Sequence, residues 1–227
     1  MTQNNLQFER ANILYNLAAL YSQLGTTSHS TSTTGLKAAC NYYCASAGVL
    51  KYLHESVIPE LRSTPPEDMD AMTLACLEQL MLAQAQECFW LKAIQDGKKD
   101  SIIARLAASV SDYFDSAAEF GGTSSSIRSE WVYHMNAKHH HFAAAAQYRQ
   151  SQDCLDSSKY GEEVARLQDA LEAVKEALLL QRYLNRQVHE DLEGLKKKVM
   201  KTLKGAEKDN DMIYLGMISP NPWNECG

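Results

Sequence analysis

No apolar run in this chain of 227 residues approaches the roughly 18 residues needed to cross a bilayer as a helix. Alternating apolar and polar residues of the kind that build half-buried strands are missing too, which argues against a sheet-based fold. Prolines are scarce: the five present lie outside the strongest periodic segments and leave room for long helices. Positive charge is in deficit, with a formal net charge of −6, whereas neutralising nucleic-acid phosphates takes a surplus of Lys and Arg on one face. That argues against bulk nucleic-acid binding, and no nucleic-acid partner is expected. No Gly-rich phosphate loop, Gly-x-Ser-x-Gly elbow or His-Glu-x-x-His motif occurs. Cys40, Cys44, Cys76, Cys88, Cys154 and Cys226 follow neither zinc nor disulfide spacing. With no signal peptide at Met1 and no prenylation box at Asn224-Glu225-Cys226-Gly227, the expectation is a cytosolic chain with free thiols.

What is there is helical periodicity, in a composition of 45% apolar and 22% charged residues that fits one folded domain or an elongated array. The pattern predicts a first helix from Asn5 to Leu24, with Leu6, Ile13, Leu14, Leu17, Leu20, Tyr21 and Leu24 on one face. Gly25 is predicted to end it, and the Ser/Thr-rich stretch Thr26 to Thr34 to form the most mobile internal loop. A second helix is expected over Leu36 to Leu61, a third over Glu67 to Ile94, and a fourth, capped by Asp100, to Phe120. Gly121-Gly122 reads as a loop, followed by a helix over Ile127 to Leu155. Tyr160 to Ala206 reads as one long helix carrying two apolar seams out of phase around Leu179 to Leu184, packing on different neighbours. Long helices joined by short loops imply antiparallel hairpins. The Phe142 to Tyr148 and Lys159 to Glu163 segments echo the tetratricopeptide hairpin without its 34-residue period. The fold class expected is all-α, an irregular right-handed helical solenoid.

Chemistry is hard to find. His139, His140 and His141 are adjacent on a helix and point about 100° apart, so they cannot converge on one ion. Glu162-Glu163 near a helix start is explained by the helix dipole alone. No catalytic residue, metal or cofactor is expected. Lys196, Lys197, Lys198, Lys201 and Lys204 form the one basic cluster; a solvated helix end accounts for it, and a membrane or acidic-partner patch is the alternative. Phe89, Trp90, Ile102, Ile103 and Leu106 form an apolar set read as core by periodicity. On a helical wheel, Ile102 through Phe114 fill a sector of about 120°, wider than one packing stripe needs, so one margin is open to exposure.

Four segments carry a resemblance. They are Phe8-Glu9-Arg10-Ala11-Asn12-Ile13-Leu14-Tyr15-Asn16-Leu17-Ala18-Ala19-Leu20, Leu82-Ala83-Gln84-Ala85-Gln86-Glu87, Tyr160-Gly161-Glu162-Glu163-Val164-Ala165-Arg166-Leu167 and Lys208-Asp209-Asn210-Asp211-Met212-Ile213-Tyr214. In this order they resemble the Bro-one domain family, to which Alix belongs. Val57 to Asp70 and Ala137 to Tyr148 are most similar to the family's fungal alkaline-pH-response branch. The resemblance implies a curved helical domain that binds the C-terminal amphipathic helix of an ESCRT-III filament subunit, with Phe89, Ile102 and Leu106 as the protein-binding residues. It implies a non-enzymatic adaptor of alkaline-pH signalling, cytoplasmic and recruited to endosomes or plasma-membrane foci. Components of pH signalling are further candidate partners, and membrane contact is expected to be indirect. An endosomal or vacuolar sorting adaptor and a generic helical-repeat peptide binder are the alternatives. Residues 1–214 are expected to be the C-terminal portion of a Bro-one domain, lacking the following V-shaped domain, and 215–227 a divergent tail.

Overall fold

Ala11, Ala18 and Gly25 recur every seven residues and are all buried, and this stripe of small residues determines how the chain begins to pack. In the computed structural model, which describes residues 6–30, 32–61 and 64–218, it lies on helix α1 (Leu6–Ser28). Small side chains let α1 approach α2 (Thr33–Tyr52) closely. The Ser46 hydroxyl donates to the Ala18 carbonyl at 2.8 Å inside that contact. A Cβ on Gly25 would lie 2.6–2.9 Å from three ring atoms of Tyr43, so any larger residue there would force the ring to shift. Gly25 is thus an interior packing position and not the predicted terminator. α1 runs on through Thr26 and Thr27, whose hydroxyls bond back to carbonyls of the preceding turn. Ser32 caps α2 by accepting from the Gly35 amide at 3.1 Å. The expected loop Thr26 to Thr34 shrinks to the few residues between Ser28 and Thr33.

Among the described residues all regular structure is helical, and seven α-helices pack in sequence as antiparallel pairs: α3 spans Ala71–Gln95, α4 Asp100–Thr123, α5 Ser129–Asp156, α6 Tyr160–Leu179 and α7 Arg186–Asp209. The predicted end of the second helix is irregular. Leu53–Val57 widen into a π turn and Ile58–Glu60 tighten into a 3-10 turn around Pro59, which has no amide to donate. Asp70 starts α3, its carboxylate accepting from the amides of Met72 at 2.7 Å and Thr73 at 2.9 Å. Gly121 and Gly122 sit inside α4 and not in a loop.

The chain divides into two compact units, Met1–Lys92 with Asp112–Met135, and Ala93–Ser111 with Asn136–Gly227. The core of the first joins Ala11, Ala18, Leu36, Tyr43, Leu50, Leu53, Leu74 and Met81. In the second, the Ser111 hydroxyl donates to the His139 carbonyl at 3.0 Å, and His139 Nδ1 lies 3.1 Å from the Ser111 carbonyl, so α4 and α5 are tied by paired polar contacts. Asp100 is not the predicted cap. It is the first residue of α4 and pairs with Arg149 of α5 at 2.8 Å.

The expected long final helix is two helices. The phase shift at Leu179 to Leu184 is a break, with a 3-10 turn at Gln181–Tyr183 and Asn185 capping α7 by accepting from the Val188 amide at 2.9 Å. The two seams therefore face each other. Val174 and Ala177 near the end of α6 meet Leu192 near the start of α7, while Val164 and Leu167 meet Leu203.

Candidate functional site

Phe89 belongs to the first unit, on α3. Consecutive helical residues point about 100° apart, and the effect here is sharp: Cys88 is 2% exposed and Phe89 56%. The ring of Phe89 lines an open cavity of about 250 Å³ together with Leu36, Lys37, Cys40, Asn41, Cys88 and Lys92. Burial, helped by the neighbouring thiols Cys44 and Cys88, pushes the Cys40 thiol up to about 12. Burial, with Glu87 and Cys44 adding to it, pushes Cys88 up to about 11. Both thiols are neutral at physiological pH, so these walls of the cavity are apolar while Lys37 and Lys92 bring positive charge to its lining. Such a lining is chemically suited to an apolar side chain flanked by acidic groups.

Ile102 and Leu106 belong to the second unit, one turn apart on α4. The wide apolar sector splits between core and surface. Ile103, Ala107, Val110 and Phe114 are buried, Leu106 is half-buried, and Ile102 remains 44% exposed. The sequence had grouped Ile102 with Ile103, and the structure separates them.

The cavity walls at Leu36, Cys40 and Cys88 were missed by motif reasoning. Their one sequence signal was the four-residue step from Cys40 to Cys44, and the structure turns Cys40 inward and Cys44 outward. Cys226 lies outside the described residues. His139 is engaged by Ser111. Among the described residues, no cluster of three His, Cys, Asp or Glu side chains could hold a metal, and no helix is long and apolar enough to cross a membrane.

Seven helices packed in sequence as antiparallel pairs define an all-helical domain of the BRO1 fold. The chain belongs to the BRO1-like domain family, whose sequence profile matches residues 1–222. It is 59% identical over 97% of its length to the pH-response regulator protein palA/RIM20 of Emericella nidulans, and spans 26% of that protein. Against palA/RIM20 of Saccharomyces cerevisiae it is 35% identical over 94% of its length, spanning 30% of the relative. The chain thus spans only about a quarter of these curated relatives. The match is to the BRO1 region, which is N-terminal in these relatives. Among solved structures, the ALIX BRO1 domain in complex with CHMP4C superposes with a TM-score of 0.86 at 36% identity, covering 95% of this chain and 59% of that one.

Proposed function

We propose that this chain is a non-enzymatic adaptor module of fungal alkaline-pH-response signalling that binds the C-terminal amphipathic helix of an ESCRT-III filament subunit through Phe89, Ile102 and Leu106. The observation that carries the reading is the exposure of Phe89 and Ile102 beside the buried Cys88 and Ile103. Large apolar side chains held outside a well-filled core are the material of helix recognition, in which a partner's spaced apolar anchors meet a complementary surface. The palA/RIM20 relatives supply the signalling context, and the ALIX BRO1 complex with CHMP4C shows one member of the family holding an ESCRT-III subunit. Recruitment from the cytoplasm to endosomes or plasma-membrane foci follows from binding such a filament. The test is titration of an ESCRT-III C-terminal helix peptide against the parent chain and the Ile102→Asp variant, with folding monitored by circular dichroism.

A further inference from the structure

The open end of the α6–α7 hairpin carries a second surface, independent of the helix-binding residues. Lys197, Lys201, Lys204 and Lys208 recur along α7 at steps of four, three and four, so they share one helical face. All four are exposed and none is ion-paired with a described residue, whereas the adjacent Lys196 pairs with Glu193 at 3.7 Å. Of the acids at this end, Glu207 accepts from Gln168 at 3.3 Å, Asp209 lies within electrostatic reach of Glu163, and Asp211 faces solvent.

Beyond the lysines the chain turns back and shows apolar side chains to solvent: Met212, Ile213, Leu215 and Met217 are 65–88% exposed. This turn is held in shape from beneath. Asn210, itself buried, clasps Gly216 with both ends of its amide: Nδ2 donates to the carbonyl at 3.1 Å and Oδ1 accepts from the amide at 3.0 Å. Tyr214 stacks on Tyr160 with ring centroids 3.5 Å apart. Leu215 closes the turn at φ +50°, and Gly161 passes so close under the Met217 carbonyl that a Cβ would overlap it. The apolar side chains are therefore displayed in advance, and little ordering is left for a partner to impose.

We propose that this lysine face and its apolar turn form a docking surface for an anionic lipid bilayer. Unpaired ammonium groups collect at negatively charged headgroups, and apolar side chains on a projecting turn enter the boundary between headgroup and acyl chain. A projecting turn gives a bound peptide no trough, which favours the bilayer over an acidic protein segment. Asp211 stays at headgroup level.

The test is sedimentation of the 227-residue chain with vesicles of phosphatidylcholine alone and of equal parts phosphatidylcholine and phosphatidylserine. The chain should sediment with the anionic vesicles only, and less as salt rises. Combined Lys201→Ala, Lys204→Ala and Lys208→Ala should lower the apparent affinity about a hundredfold. Leu215→Asn with Met217→Ser should lower it about tenfold, since asparagine keeps the left-handed backbone while removing the apolar group. Both variants should keep the parent's circular dichroism. If the triple variant fails to fold, Lys204→Gln alone, expected to lose about fivefold, carries the test. Absence of binding to anionic vesicles, equal binding to neutral ones, or folded variants that bind as the parent does would each overturn the proposal. Lysine-dependent binding to polyglutamate without binding to vesicles would assign the face to an acidic protein and overturn it as well.

Discussion

Replacing Ile102 by Asp and, separately, Ile103 by Asp separates recognition from folding with one chemical change at adjacent positions. Ile102 is 44% exposed in the free chain. About half of the 1.5–3 kcal/mol that full burial of such a side chain is worth is therefore still available to a partner, roughly 1 kcal/mol. A carboxylate forced into the same contact adds a desolvation cost of about 1–3 kcal/mol. The expected loss of binding is about 2 kcal/mol or more, near thirtyfold in Kd. Ile103 is 3% exposed, so Ile103→Asp forfeits its whole burial and places a charge in the core, a loss of several kcal/mol against a total stability of roughly 5–15 kcal/mol. Isothermal titration with the ESCRT-III helix peptide, beside thermal melts by circular dichroism, reads both effects. Ile102→Asp should melt close to the parent and bind weakly; Ile103→Asp should unfold or melt far below it. A folded Ile102→Asp chain with unchanged affinity refutes the site. An Ile102→Asp chain that unfolds as Ile103→Asp does returns the residue to the core.

Gly25→Ala should lower the melting temperature despite alanine's better helix propensity, because its Cβ would press 2.6–2.9 Å from the buried Tyr43 ring. The clash costs about 1–3 kcal/mol against roughly 1 kcal/mol gained in propensity, so a rise in the melt would show that Tyr43 has room to move. Burial, with Asp209 adding to it, holds the Glu163 carboxyl above its ordinary 4.5. The folded chain thus binds this proton more tightly than the unfolded one, and Glu163 costs stability as pH rises from the unfolded value through the raised one. Glu163→Gln should therefore gain in melting temperature relative to the parent from about pH 4.5 to neutrality; a difference that does not change with pH would contradict the shift. Iodoacetamide near pH 8 should modify Cys44 well before Cys40 and Cys88, since burial pushes the latter two thiols up to about 12 and 11. Mass spectrometry of the peptides reads the order, and rapid labelling of Cys40 would mean that the α2–α3 contact opens.

Helical periodicity is local, because each turn's apolar spacing is written in a few neighbouring residues, so the all-helical architecture was legible from the chain alone. The errors fell where a distant side chain decides the outcome. Glycine ends helices when nothing else is considered, but Gly25 meets Tyr43 and Gly121 lies beside Cys76 and Met135, and at both the absent side chain makes room for another helix. A change of seam phase fits either a long helix with two neighbours or a hairpin. The Asn185 cap, together with Leu192 and Leu203 meeting α6, shows the hairpin. Exposure at the candidate site was the least legible feature. Ile102 and Ile103 are chemically identical, and what separates them is their rotation about α4 relative to the core, which no composition records. The family resemblance singled out Phe89, Ile102 and Leu106, while Leu36, Cys40 and Cys88, which shape the cavity beside Phe89, emerged only with α2 packed against α3.

Size alone would have misdirected the packing of α1. Its large residues Leu6, Ile13 and Leu20 and its small residues Ala11, Ala18 and Gly25 both step by seven, and the small set faces inward. The aromatic bulk of Tyr43 on α2 fills the contact, so small residues opposite it bring the helices together while large ones would hold them apart. The same logic of shape distinguishes the exposed apolar groups elsewhere. Phe89 borders a hollow with lysines in its lining, a form that accepts a side chain from a folded partner. Met212, Ile213, Leu215 and Met217 project from a clasped turn beyond a row of lysines, a form that enters a soft surface and holds nothing. Both are apolar patches flanked by positive charge, and composition does not tell them apart. Their difference in shape underlies the two proposals, a helix for the hollow and a bilayer for the turn.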